Sequence, residues 1–265
     1  MKRLLLNLLC LLFAYPCFAA EPIQLARMSP WVAGSVAAAP AYTNPCPASW
    51  GGCESFNGSS SCYSGDSGNN CDNTWTITGS GTKDFKYATS PAPLEGDYSM
   101  RFDATTNYVH FEKTQTACSN ECYGYALLTF DSNPAAIRPV LAFVGSSGQT
   151  LTRVSVSSTG KFVAVNNTTA GTATTLGPGT GTKTHVWWYY KAGGGADSIS
   201  WVGWAPDENG TGTMPNCTEN DNYCSYIGNG AATLNVNRVR GGLGDTGLAG
   251  IIDKLIWHPT SIGNQ

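Results

Sequence analysis

The sequence predicts an all-β fold, a sandwich of antiparallel sheets in a single domain. Three observations predict it. Short runs rich in Val, Ile, Thr and aromatic residues recur between turn-forming residues from Trp75 to Trp257. Glycine is abundant, with 31 residues, as suits a chain of many turns. Beyond the first twenty residues no stretch carries an apolar period long enough for a useful helix. No tandem repeat is visible, so one domain is the economical reading.

Taken in order, the chain opens with Lys2 and Arg3, a short apolar run over residues 4–13, and the small residues of Cys17-Phe18-Ala19-Ala20. This is the pattern of a signal peptide, so residues 1–20 are expected to be removed on export. The run is too short for a transmembrane helix, and no later stretch is apolar enough to span a membrane. Residues 21–45, rich in Ala and Pro without a period, read as an N-terminal arm. Residues 46–265 read as the domain, entered through a Cys-rich loop at 46–73. Strand patterns follow at 75–78, 98–102, 108–111, 123–130, 140–144, 151–157 and 161–165. Ser158-Thr159-Gly160 between the last two is a hairpin signal. Residues 185–191 and 198–204, joined by a Gly-rich linker, read as a second hairpin, and 233–239 and 251–257 close the series.

Charge excludes one class of partner. Only 12% of residues are charged, and losing Lys2 and Arg3 would move the net charge from −3 to −5. Nucleic acid calls for a basic footprint that this chain lacks. Cysteine usage agrees with export to the periplasm or beyond the cell. Of ten cysteines, Cys10 and Cys17 fall in the leader, leaving Cys46, Cys53, Cys62, Cys71, Cys118, Cys122, Cys217 and Cys224. An even set in an exported chain reads as disulfides. Local bridges are expected between Cys118 and Cys122 and between Cys217 and Cys224, with two more among the first four. Zinc fits poorly, because no Cys-x-x-Cys pair exists and the chain has 3 His.

Several segments resemble a known family. Trp75-Thr76-Ile77-Thr78-Gly79 precedes Leu94-Glu95-Gly96-Asp97-Tyr98-Ser99-Met100-Arg101-Phe102-Asp103, and Gly250-Ile251-Ile252-Asp253-Lys254-Leu255-Ile256-Trp257 closes the domain. In this order, with the 185–204 segment between them, they resemble the strands of laminin G-like domains. Those domains belong to the concanavalin A-like lectin and glucanase superfamily. The resemblance covers roughly residues 54–262. It implies a jelly-roll sandwich of two curved antiparallel sheets, with ligands on the concave face or at a rim with calcium.

The richest site candidate is His185-Val186-Trp187-Trp188-Tyr189-Tyr190-Lys191. Side chains alternate across a strand, so Val186, Trp188 and Tyr190 share one face and His185, Trp187, Tyr189 and Lys191 the other. The first set reads as core. The second suits a carbohydrate: rings stack on the C–H faces of sugars, and the polar groups meet hydroxyls. The competing reading is packing, with this face closed under a loop and His185 a hydrogen-bonded strand histidine.

Non-catalytic binding of extracellular glycan, or adhesion, is therefore the expected function. A lyase acting on a uronate polymer is the enzymatic alternative, with His185, Tyr189 and Lys191 joined by Arg153. It needs a base and a cation to neutralise the uronate carboxylate. Tyr190-Lys191-Ala192-Gly193 resembles part of the Tyr-x-Lys-Ala-Gly segment of alginate lyases, but that family's Arg-rich early strand and Gln-x-His strand are absent. A retaining glucanase needs two carboxyls roughly 5 Å apart, and the superfamily's Glu-x-Asp-x-x-Glu signature is missing. A structural protein of an envelope or extracellular assembly is the third reading. The one candidate cofactor is calcium, for which Asp66 and Asp72 in the oxygen-rich stretch 66–73 are the expected ligands. Glu219-Asn220-Asp221-Asn222 is a second oxygen-rich cluster. Asn57, Asn166, Asn167, Asn209 and Asn216 each open an Asn-x-Ser/Thr triplet, which matters only in a glycosylating pathway.

Overall fold

A computed structural model describes residues 52–54, 56, 75–79, 86–88, 94–95, 99–103, 109–243 and 247–265. The expected signal peptide, the N-terminal arm, Cys46, Cys62, Cys71, Asp66 and Asp72 lie outside the described residues. Fifteen strands occur among those described. They are β1 (Gly52–Glu54), β2 (Thr76–Gly79), β3 (Lys86–Ala88), β4 (Ser99–Asp103), β5 (Val109–Thr114), β6 (Glu121–Phe130), β7 (Arg138–Gly145) and β8 (Thr150–Val156). They continue with β9 (Phe162–Asn166), β10 (Thr169–Ala170), β11 (Thr184–Lys191), β12 (Ser198–Pro206), β13 (Cys224–Gly230), β14 (Val236–Leu243) and β15 (Ala249–His258). No helix occurs among the described residues.

The strands form two antiparallel sheets. The eight-stranded sheet runs β13-β12-β11-β6-β15-β4-β3, with β1 paired to β15. The seven-stranded sheet runs β10-β9-β8-β7-β14-β5-β2. Both contain non-sequential neighbours: β6 lies between β11 and β15, and β14 between β7 and β5. The chain therefore crosses between sheets repeatedly. Strands β1, β3, β10 and β13 carry no clear apolar alternation and were not predicted. The strand expected at 233–239 lies further on, as β14.

Between the sheets lies the main core. Val186, Trp188 and Tyr190 from β11 face it with Phe143, Phe162, Phe111 and Trp257. The Trp188 ring packs on Phe143, centroids 5.3 Å apart, and the Trp75 ring on Phe111 at 4.8 Å. Trp188 fits because position 124 on the neighbouring strand is glycine; a Cβ there would enter the indole ring. Glu54 is fully buried and accounted for: its carboxylate accepts the Phe56 N–H (3.0 Å) and the Trp75 Nε1–H (2.8 Å).

One irregularity shapes the outer face of the eight-stranded sheet. The register of β15 against β6 shifts between Asp253 and Leu255. Lys254 is the extra residue, held in the left-handed region (φ 48°) that bulges accommodate. The shift leaves Asp253 paired with Leu127, on the outer side, while Leu255 returns to the core.

Candidate functional site

The two halves of the 185–191 run separate as alternation requires. On the outer face Trp187 and Tyr189 join Tyr125, Trp201 and Ile256 in a second apolar cluster, and the His185 ring stacks on Trp187. Around His185 and Trp187 this face is closed. Gly212 lies against the His185 ring. The Trp187 indole N–H donates to the Gly263 carbonyl (3.0 Å), and Gln265 and Gly212 exchange backbone hydrogen bonds. The result is 1% exposure for both His185 and Trp187.

His185 has no nitrogen left for a ligand. Its Nδ1 is 2.8 Å from the Tyr125 hydroxyl and its Nε2 is 2.8 Å from Asp207 Oδ1. Lys183 extends the chain to Asp207 (3.3 Å) and Glu95 (3.5 Å), and the Glu95 N–H donates to Asp253 Oδ2 (2.9 Å). Burial lowers the His185 pKa despite the opposing pull of Asp207. Tyr125 is fully buried, so this Tyr–His–Asp chain is a brace rather than a reactive centre. The expectation that His185 and Trp187 meet a glycan does not hold, because Gly212 covers the first and Gly263 the second. Lys191 is exposed at the end of β11, in register with Glu121.

At the Tyr189 end the same face opens into a groove of about 310 Å³. Tyr189 and Trp201 form its floor, stacked with centroids 5.6 Å apart and planes at 21°. Tyr123 lies 4.6 Å from the Tyr189 ring. The Tyr189 hydroxyl donates to Glu121 Oε1 (2.7 Å), and burial together with that carboxylate raises its pKa. Tyr123 and Glu121 were missed, although Glu121-Cys122-Tyr123-Gly124-Tyr125 puts Glu, Tyr and Tyr on one strand face.

Arg153 does not join the His185 set. It sits on β8, in the other sheet, and the expectation of one shared face fails because β8 and β11 belong to different layers. Its surroundings are informative. In register across four adjacent strands lie Arg153 (β8), Ala142 (β7), Arg240 (β14) and Glu112 (β5). The next pair on β14 and β5 along this face is Gly242 and His110. Alternation sends Phe111, Val239 and Val154 inward and this row outward.

The row divides into a satisfied half and an unsatisfied half. Glu112 accepts from Arg240 Nη2 (2.7 Å) and Nε (3.1 Å) and from Arg238 Nη1 (3.3 Å). Burial raises the Glu112 pKa, but the Arg240 hydrogen bonds and the two guanidinium charges outweigh it and hold the carboxyl below its usual value. His110 Nε2 is 3.9 Å from Glu112 Oε2, and burial, then the Arg240 charge, lower its pKa to about 4. Arg153 differs. Its Nε is buried without a hydrogen-bond partner. Burial alone lowers its pKa, with no neighbouring charge contributing. Arg153 and Arg240 flank a cavity of about 160 Å³ over Ala142 and Gly242. Small residues between two arginines leave room that a larger side chain would fill. His110-x-Glu112 and Arg238-x-Arg240 were legible as alternating polar positions, but nothing local pairs β5 with β14.

The remaining candidates resolve simply. Cys118–Cys122 and Cys217–Cys224 are disulfides, as their proximity in sequence suggested, and Cys53 is also disulfide-bonded. Among the described residues no group of three or more His, Cys, Asp or Glu could hold a metal ion. The 219–222 cluster serves the backbone: Asp221 Oδ1 accepts the N–H groups of Tyr223 and Cys224 (2.7 Å each), and Asn220 Oδ1 that of Tyr226 (2.8 Å). Asn166 is fully buried, bonded to Ser198, Ser200 and Ala232, and so is no glycan acceptor. Among the described residues no helix is long and apolar enough to cross a membrane.

No protein-family model and no curated protein matches the sequence. Solved structures do match in fold. An endo-β-1,4-glucuronan lyase from the fungus Trichoderma reesei is 10% identical, with a TM-score of 0.51 over 80% of this chain and 96% of that one. A cellulose-induced protein is 13% identical, with a TM-score of 0.44 over 71% of this chain and 93% of that one. The VIP36 exoplasmic/lumenal domain is 10% identical, with a TM-score of 0.41 over 71% and 84%. The two antiparallel sheets and the first likeness define the class: an all-β, concanavalin A-like jelly-roll sandwich.

Proposed function

We propose that this protein is an exported, non-catalytic binder of acidic extracellular polysaccharide, engaging uronate carboxylates at the Arg153–Arg240 cavity. The observation that carries the reading is Arg153. A half-buried guanidinium at the wall of a cavity, with its Nε unpartnered and no neighbouring charge shifting its pKa, is suited to an anion that meets its remaining N–H groups. Guanidinium and carboxylate match geometrically, and a charge-assisted pair is stronger than a neutral hydrogen bond. Arg240 is already held by Glu112, so it adds positive potential while keeping its position. Disulfides agree with an oxidising, extracytoplasmic setting. The glucuronan named for the Trichoderma enzyme makes that polymer the first probe to try. In affinity electrophoresis, gels containing glucuronan, alginate or pectate are expected to retard the protein, and free oligoglucuronate to relieve the retardation. Equal mobility in all three gels and in polymer-free gel rejects the reading.

One observation favours a second reading, a uronate lyase. His110 lies on the same outer face, in register with Gly242 of the cavity wall, and burial keeps its imidazole neutral near neutral pH. Elimination needs a base to take the proton next to the carboxylate, whose electrons form the double bond as the glycosidic oxygen leaves. A cation that neutralises the carboxylate lowers that barrier. The unsaturated product absorbs in the ultraviolet. On the binding reading, absorbance stays flat on all three polymers; a rise that His110→Ala abolishes would establish the lyase instead.

A further inference from the structure

We infer that the protein carries a second carbohydrate site on the opposite face of the sandwich, an aromatic groove that takes a neutral glycan segment. It is independent of the arginine cavity, since it lies on the outer side of the eight-stranded sheet. Its volume of about 310 Å³ is at the lower end of small-ligand sites, about 300–1,000 Å³. The floor is the Tyr189–Trp201 stack, whose residues are only 7% and 8% exposed, so the open ring surface comes from its neighbours. Tyr123 and Tyr226, both partly exposed, add ring surface at the sides. Asn216 and Thr218, both exposed, present an amide and a hydroxyl at the rim. Flat ring surfaces beside amide and hydroxyl groups complement a pyranose, whose C–H face is apolar and whose edge is hydroxylated.

Charge selects the class of sugar. Among the described residues no arginine or lysine lines the groove. The carboxylate nearest its floor is Glu121, which accepts the Tyr189 hydroxyl at 2.7 Å. An anionic sugar would find no cation lining the groove, and the exposed Lys191 at its edge stands in register with Glu121, whereas a neutral sugar needs no charged partner. The groove is also fixed before any ligand arrives. The Cys217–Cys224 disulfide ties the 214–218 wall to β13. Close packing of Pro215 and Cys217 over Gly203 seats that wall, because a Cβ at position 203 would come within 2.6 Å of Pro215 Cγ. A rigid site loses little conformational entropy on binding, which favours affinity for a flexible oligosaccharide.

The test is titration calorimetry of the whole protein with three neutral probes: cellohexaose, mannohexaose and laminarihexaose. At least one is expected to bind saturably. Tyr226→Ala should weaken that binding about tenfold, the scale of one lost stacking contact, while retardation by glucuronan is unchanged. Asn216→Trp, which fills the groove from an exposed position, should remove it even if Tyr226→Ala does not fold. Failure of all three probes at millimolar concentration overturns the inference, as does binding that survives both substitutions. Neither result touches the arginine site, which is read separately on acidic polymers.

Discussion

Single residues in this protein are best judged by which of their polar atoms are already committed. His185 carries the sequence's strongest functional suggestion, yet both its nitrogens are used within the fold. Arg153 stands alone in the sequence and has an uncommitted atom in a cavity-lining guanidinium. Asp253 shows the cost of an incomplete commitment. Its Oδ2 accepts the Glu95 N–H, its Oδ1 is buried without a partner, and burial pushes its pKa up to about 8. An unfolded Asp titrates near 4, so the native state favours the protonated form. The stability from this group is full below about pH 4 and is lost as the pH rises through about 8. Asp253→Asn should therefore stabilise the protein at pH 8, on the order of 1–3 kcal/mol, with the gain vanishing near pH 4. Thermal denaturation at the two pH values checks this; an equal effect at both would show that the buried charge is not the cause.

At the scale of strands, legibility depends on what alternation can report. The split of β11 into a core face and an outer face follows from period two, and it is found. Whether the outer face is open does not, because the cover comes from residues 212 and 263–265, remote from β11 in sequence. The arginine row was hidden for a related reason. His110 and Glu112 alternate within β5, and Arg238 and Arg240 within β14, but more than a hundred residues separate the strands that register brings together. Gly124 falls inside the strand expected at 123–130, and its role there, leaving space for the Trp188 ring, was not legible because that ring comes from β11, far along the chain. That ring is held by Phe143 in the facing sheet and cannot retreat. Gly124→Ala is expected to destabilise the fold on the order of 1–3 kcal/mol, read by chemical denaturation. An unchanged midpoint would mean the core yields more easily than its packing suggests.

As a whole, the sandwich presents two outer faces of different chemistry. Among the described residues the outer face of the eight-stranded sheet is aromatic, closed over His185 and Trp187 by Gly212 and residues 263–265, and open at the groove beside Tyr189. On the seven-stranded sheet the outer face holds an arginine-lined cavity. This local positive character sits in a chain whose net charge is −3, so long-range attraction is not what would hold an acidic glycan. Recognition would rest on contact at Arg153. A binder built this way could hold a uronate polymer on one side and a neutral glycan on the other. The most direct measurement is calorimetric titration of oligoglucuronate into the wild-type protein and Arg153→Ala. Loss of one charge-assisted contact predicts at least about tenfold weaker binding in the variant, with its fold intact by circular dichroism. If Arg153→Ala binds as tightly as wild type, the arginine cavity is not the site and the account is wrong.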